Sequence, residues 1–348
     1  MANYNKILGC LVGGATGDAM GAATEIRSRN QIHEFFGQDV KEFVKPPMDT
    51  YSRGSEAGNI TDDFSLAYVT ARYVADNNGI VNKEVAKKAL LDWSEIDKWF
   101  SRFAGPTTRA NVAKMKGEVD VNKNDPANLF VPVNMNAQSS NGAGMKIAPV
   151  SLFSNGDVDE AIKNAITVAS LTHPNQIALS GACAIAAATA EAMNDNADLF
   201  KVVQAGLYGA REGARLGLQY HENAGASVED RMKLAIYIGL TAKNMDEAID
   251  KIGSVVGSSL AANEAIPAVF GLMVAAKGNT MDAIYGGVNI GDDTDTVATM
   301  IGGILGTLNG IDSLPEDYLK YLEKQNGIEL EKLAKDIDKI LSERNAKC

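Results

Sequence analysis

The sequence is poor in the residues that build soft-metal sites and aromatic cores. Its 348 residues include 3 Cys, 3 His and 2 Trp, and aromatics make up 6%. Cys10, Cys183 and Cys348 are odd in number, far apart and without CxxC spacing. That pattern argues against a disulfide framework and for a reducing, cytoplasmic setting. The widely spaced His residues and scattered Cys make a zinc site improbable. Positive charge is also in deficit, with 33 Lys plus Arg against 44 Asp plus Glu, a net charge of −11. Non-specific binding to nucleic acid or to an anionic membrane needs clustered basic residues, so the balance argues against both, while it does not exclude a local phosphate site. No apolar run reaches about 18 uninterrupted residues, the length a membrane span needs. The opening MANYNKILGC lacks the basic and then apolar order of a secretory signal.

What is present is small and apolar. Hydrophobic residues make up 45% of the chain and Gly alone 33 residues, with Ala abundant. A core of small residues implies closely approaching backbones, most naturally helices. The spacing predicts helices over 61–77, 158–170, 175–193, 198–217, 229–242, 246–256, 265–276, 296–308 and 315–342. The last of these reads as an amphipathic cap. Only short stretches such as 39–44 suggest strand. Loops are expected at 45–60, 104–109, 120–149 and 286–295, the long 120–149 stretch being of the kind that carries function. With no repeat, low-complexity tract or linker, the expectation is one all-α domain over 1–348. Trp93, Trp99, Phe100 and Phe103 read as a core stripe.

Two remote segments share an unusual charge pattern. Thr61-Asp62-Asp63 precedes one apolar helix, and Asp292-Asp293-Thr294-Asp295-Thr296 precedes another. Thr and Asp at helix starts cap free N–H groups and suit the helix dipole, which is the ordinary explanation for either alone. The second segment, however, has three carboxylates in four residues, more than a cap uses. No Lys or Arg lies between Arg53 and Arg72 or between Lys277 and Lys320. If the two starts converge, their repulsion calls for counter-charge or strong pKa shifts. Asp and Thr oxygens would form a hard shell suited to Mg2+, Mn2+ or Ca2+.

At these residues the chain resembles the ADP-ribosylglycohydrolase family, which includes dinitrogenase-reductase-activating glycohydrolases and ADP-ribosyl-arginine and ADP-ribosyl-serine hydrolases. Five blocks carry the resemblance in order: GCLVGGATGDAMGAATE from Gly9, TDDFSLA from Thr61, SNGAGMKIAPV from Ser140, LTH ending at His173, and IGDDTDTVATMIGGILG from Ile290. GPTTR at 105–109 echoes a further family loop. The resemblance implies a compact orthogonal helical bundle and a glycosidase that hydrolyses ADP-ribosyl linkages. It also implies two Mg2+ or Mn2+ ions whose ligands would be Thr61, Asp62, Asp63, Asp293, Asp295 and Thr296. Asp62 and Asp63, with Glu25, would orient or deprotonate the attacking water. Asn141, Gly142, Ala143, Gly144 and Met145 would cradle phosphate and ribose, the glycines letting backbone N–H groups approach an anion. His173 would stack or hydrogen-bond near the distal ribose.

Each of these roles has a plainer counterpart. Glu25 also reads as a solvated helix-end residue beside Arg27 and Arg29, and His173 as a satisfied structural histidine. Asp18 is expected to make structural hydrogen bonds, and Gly13, Gly14, Gly17 and Gly21 to mark close helix packing. The chain departs from the family pattern at Lys146, where Arg is usual, at Asp292, where Gly is usual, and at Phe64, in the fourth position of TDDT. The expected partner is an ADP-ribosylated protein or a small ADP-ribosyl or ribosyl compound, the protein being a monomer or small homo-oligomer. Two other functions stay open: N-ribosyl hydrolysis of a free nucleoside or nucleotide, and a non-catalytic binding or structural role.

Overall fold

A computed structural model describes residues 2–118 and 135–346. Residues 120–134 of the expected 120–149 loop, and Cys348, lie outside the described residues. The first part of the chain forms α1 (Ala2–Gly21), α2 (Arg29–Phe36), α3 (Asp62–Asp76), α4 (Lys83–Trp93), α5 (Asp97–Phe103) and α6 (Pro106–Lys116). The middle forms α7 (Ala148–Ser151), α8 (Val158–Ala169), α9 (Gln176–Met193), α10 (Leu199–Gly217), α11 (Val228–Thr241) and α12 (Met245–Val255). The last part adds α13 (Ala262–Ala275), α14 (Thr280–Asn289), α15 (Thr294–Asn309), α16 (Tyr318–Asn326) and α17 (Leu330–Asn345). Among the described residues there is no strand, only isolated bridges between Ser28 and Gly291 and between Ser140 and Ala261.

The fold is all-α, as the periodicity predicts, with four corrections. The expected 315–342 helix is two helices, broken at Gly327, whose left-handed φ of 65° ends α16. The expected 286–295 loop is shorter, because α14 runs through Gly286 and Gly287 to Asn289. Gly287 there allows close approach to α15, where a Cβ would stand 3.0 Å from the Ala298 Cα. The 39–44 stretch is irregular. In place of a partner strand, the buried Asn289 amide accepts from Val40 N and donates to Val40 O, both at 2.8 Å. Pro106 also turns the 104–109 segment into the first turn of α6.

One hydrophobic cluster runs from Ile7 on α1 to Leu341 on α17. Trp93 and Trp99 are buried in it, with Phe100 packed against it. Helix α9 is buried along most of its length; by length and composition it could cross a membrane, but here it is a core helix.

The antiparallel contact between α1 and α15 sets the position of the site. A Cβ on Gly9 would stand 2.1 Å from Gly306 O, on Gly13 2.3 Å from Gly302 O, and on Gly17 2.1 Å from Ala298 O. At the end of this seam, a Cβ on Gly21 would stand 2.4 Å from the Asp295 Cα. Each mid-helix glycine costs about 1 kcal/mol against alanine, offset by the backbone contact it permits. The end of α1 is thereby fixed against the acidic start of α15.

Candidate metal and active centre

Asp18, buried on α1, anchors the second helix start. Its carboxylate accepts from Thr61 N at 3.0 Å and from Phe64 N at 2.9 Å, orienting the start of α3. Thr61 is the N-cap of α3, and its hydroxyl donates to Asp63 Oδ2 at 3.1 Å. Behind it, the buried Asn326 amide accepts from Ile60 N at 2.9 Å and donates to Gly58 O at 2.9 Å, holding the approach to Thr61. Phe64 is buried beside Gly14, where a Cβ would touch its ring at 3.0 Å.

The two helix starts meet. Thr296 Oγ1 on α15 donates to Asp63 Oδ1 on α3 at 2.6 Å. Carboxylate oxygens of Asp18, Asp63 and Asp295 lie within 4.8 Å of one another, and so do those of Glu25, Asp293 and Asp295. Asp293 is aimed by the Asn141 amide, which donates to its Oδ2 at 2.6 Å. The turn before α15 runs through Gly291 (φ 95°) and Asp292 (φ 61°). Asp292 thus holds the left-handed conformation that its usual glycine adopts freely. Ile26 N donates to Asp292 O at 2.7 Å, tying this turn to the Glu25 segment.

The electrostatics follow from this crowding. Burial pushes Asp18 up to about 7 against the hydrogen bonds from Phe64 and Thr61. Burial and the neighbouring Asp18 charge push Asp62 up to about 8. Burial and adjacent carboxylates hold Glu25, Asp63 and Asp295 well above their usual range. Arg27 and Arg29 do not relieve Glu25, since they turn to Asp49 at 2.5 Å and to Asp246 at 2.6 Å. The fold does bring cations that the local sequence lacks: Arg109 and Lys146 both act electrostatically on Asp62. Arg109 is itself held by the carbonyls of Ala104 at 2.6 Å and Ser101 at 3.1 Å.

The expected site residues separate into two groups. Thr61, Asp63, Asp293, Asp295, Thr296, Glu25 and Asn141 come together, with Asp62 half-buried at the edge of their field. In the glycine turn, Gly142 is half-buried and its neighbours are tied down. The backbone N–H groups of Asn141, Ala143, Gly144 and Met145 are already bonded, to Leu260 O, Ser140 O and Asn141 O. Ala143 and Met145 are buried. His173 is buried behind the turn, with Nε2 2.8 Å from Ser140 Oγ and Nδ1 2.8 Å from Thr172 Oγ1. Both of its ring nitrogens are engaged by the protein, so it contacts the turn and not an open cleft.

The ADP-ribosylglycohydrolase family pattern matches residues 1–347. The chain belongs to that family. It is similar to YegU of Escherichia coli K12, an uncharacterized protein, with 25% identity over 98% of both chains. It is also similar to human ADP-ribosylhydrolase ARH3, with 24% identity over 92% of this chain and 90% of that one. A solved structure, an ADP-ribosylglycohydrolase-related protein complex, has the same fold, with a TM-score of 0.67 and 20% identity over 97% of this chain and 98% of that one. Family membership makes the protein a hydrolase of the glycosidase type, and the family acts on ADP-ribosylated substrates with metal dependence. The donor set fits that dependence: it is buried, all-oxygen and short of positive charge, as hard divalent cations require.

Proposed function

We infer that this protein hydrolyses the glycosidic bond between ADP-ribose and a protein side chain, using two Mg2+ or Mn2+ ions. The observation that carries the reading is the junction of α3 and α15, where Thr296 bonds Asp63 at 2.6 Å inside a ring of carboxylates. Thr61, Asp62, Asp63, Asp293, Asp295 and Thr296 would hold the ions. When bound, such ions supply Lewis acidity and ease deprotonation of the attacking water.

The chain's own residues do the rest. Asp18 fixes the α3 backbone so that Asp62 and Asp63 project from a rigid helix start. Asn141 holds one oxygen of Asp293 and leaves the other for a ligand. Asp62, half-buried at the edge of the cluster, takes the proton of the water. Glu25, close to Asp293 and Asp295, orients the reacting ribose and the departing side chain.

The test is direct. Purified protein with Mg2+ or Mn2+ is incubated with peptides ADP-ribosylated on arginine or on serine, and free ADP-ribose is measured. Release that is abolished by chelation and by Asp63→Asn supports the reading. Absence of release from every linkage, with metal bound stoichiometrically, overturns it.

A further inference from the structure

Lys146 is buried behind the glycine turn, where only 2% of its surface is exposed. Its Nζ donates to Thr172 Oγ1 at 2.9 Å. Thr172 has one hydroxyl proton to give. His173 Nδ1 stands 2.8 Å away, against 3.5 Å for the alternative acceptor, Ala169 O. With Nδ1 accepting, the ring proton of a neutral imidazole sits on Nε2, which then donates to Ser140 Oγ at 2.8 Å. Burial and the neighbouring Lys146 keep the imidazole in its neutral form.

The consequence falls on Ser140. Its oxygen accepts from His173, so its own proton must be donated elsewhere. Between Ser139 and Val150, only Ser140 and Gly142 are not buried. Ser140 directly precedes Asn141, the partner of Asp293. The backbone N–H groups at Asn141, Ala143, Gly144 and Met145 are consumed within the protein, which leaves half-buried Gly142 and the Ser140 hydroxyl as the accessible positions of the turn.

We propose that Ser140 is a ligand-binding donor, and that Lys146, Thr172 and His173 are positioning residues that direct its hydroxyl proton outward to a phosphate or ribose oxygen. The inference rests on the proposed function for the identity of the ligand, but not for the direction of the relay. Lys146 occupies the Thr172 oxygen as an acceptor, which turns the threonine's own proton toward His173.

The experiment has two readouts on the full-length protein. The first is the 15N spectrum of the histidine rings, assigned to His173 by comparison with His173→Gln, which distinguishes a protonated Nε2 from a protonated Nδ1 without any ligand. The second is ADP-ribose binding by calorimetry in the presence of Mg2+, for the wild type and for Ser140→Ala and Ser140→Thr. The expected result is the Nε2–H tautomer, a loss of affinity of about tenfold or more in Ser140→Ala, and substantial recovery in Ser140→Thr. Lys146→Met should shift His173 toward the Nδ1–H form. A wild-type Nδ1–H tautomer overturns the proposal, as does undiminished binding by Ser140→Ala. If the wild type itself binds no ADP-ribose, the functional reading fails, and the ligand assigned to Ser140 fails with it.

Discussion

Replacing Gly21 by alanine tests whether the α1–α15 seam builds the centre. The added Cβ would stand 2.4 Å from Asp295 Cα and 2.5 Å from Asp295 N, both backbone atoms that cannot rotate away. Ordinary contact begins near 3.4 Å, so the helices must part there by 3.4 − 2.4, about 1 Å. Overpacking of this kind costs about 1–3 kcal/mol, while alanine's better helix propensity returns at most about 1 kcal/mol. The net loss of about 1–2 kcal/mol lowers Tm by about 1–3 °C in a chain of 348 residues. The same displacement moves the Asp295 carboxylate by far more than the roughly 0.2 Å that coordination distances tolerate, so Mn2+ affinity should fall about 10- to 100-fold. Gly9→Ala is the control, because its Cβ would strike Gly306 O at 2.1 Å at the far end of the same seam. It should melt lower yet bind Mn2+ like the wild type. Scanning calorimetry in a chelator and titration calorimetry with Mn2+ measure both effects. Wild-type melting and binding by Gly21→Ala, or equal loss of binding in Gly9→Ala, would refute the reasoning.

Two other outcomes follow from the charge cluster. Asp18 and Asp62 rise from an ordinary 3.8 to about 7 and about 8. The metal-free folded state therefore holds protons that the unfolded chain has released. The stability these groups contribute is complete below about pH 4 and is lost as pH rises through about 7–8. Chelated protein should accordingly melt lower at pH 9 than at pH 6, with Mg2+ restoring more at the higher pH; a flat profile between those values would contradict the crowding. Asp62→Asn removes one charge from the edge of the cluster. At pH 8 without metal it should melt higher than the wild type, while its turnover with metal falls about 100-fold or more. A variant that is fully active would remove Asp62 from its proposed role as base.

The parts of this molecule legible in the sequence are those governed by local rules. Helical period located α8 to α13 and α15 to within a few residues, and the acidic starts at Thr61 and Asp292 stood out because no cation lay near them in the chain. The glycines of α1 indicated a close helix contact, but not that α15 was the partner. Elements set by tertiary contact were harder to read. Gly286 and Gly287 look like a loop until Leu272 and Met245 pack against the first and α15 against the second, and 39–44 looks like a strand until Asn289 satisfies the Val40 backbone. Asn326, which holds the approach to Thr61, carries no local signal at all. The glycines of the Asn141–Met145 turn suggest an open anion cradle. The N–H groups of Asn141, Ala143, Gly144 and Met145 are bonded inward, and the half-buried positions are Gly142 and Ser140, of which Ser140 has a hydroxyl to offer.

Crystals grown with Mn2+ and examined by anomalous scattering test the central claim most directly. Two manganese peaks between the starts of α3 and α15, bonded to oxygens of Asp63 and Asp295 at roughly 2.0–2.3 Å, are the predicted result. Fully loaded crystals with no manganese at that junction would contradict the account.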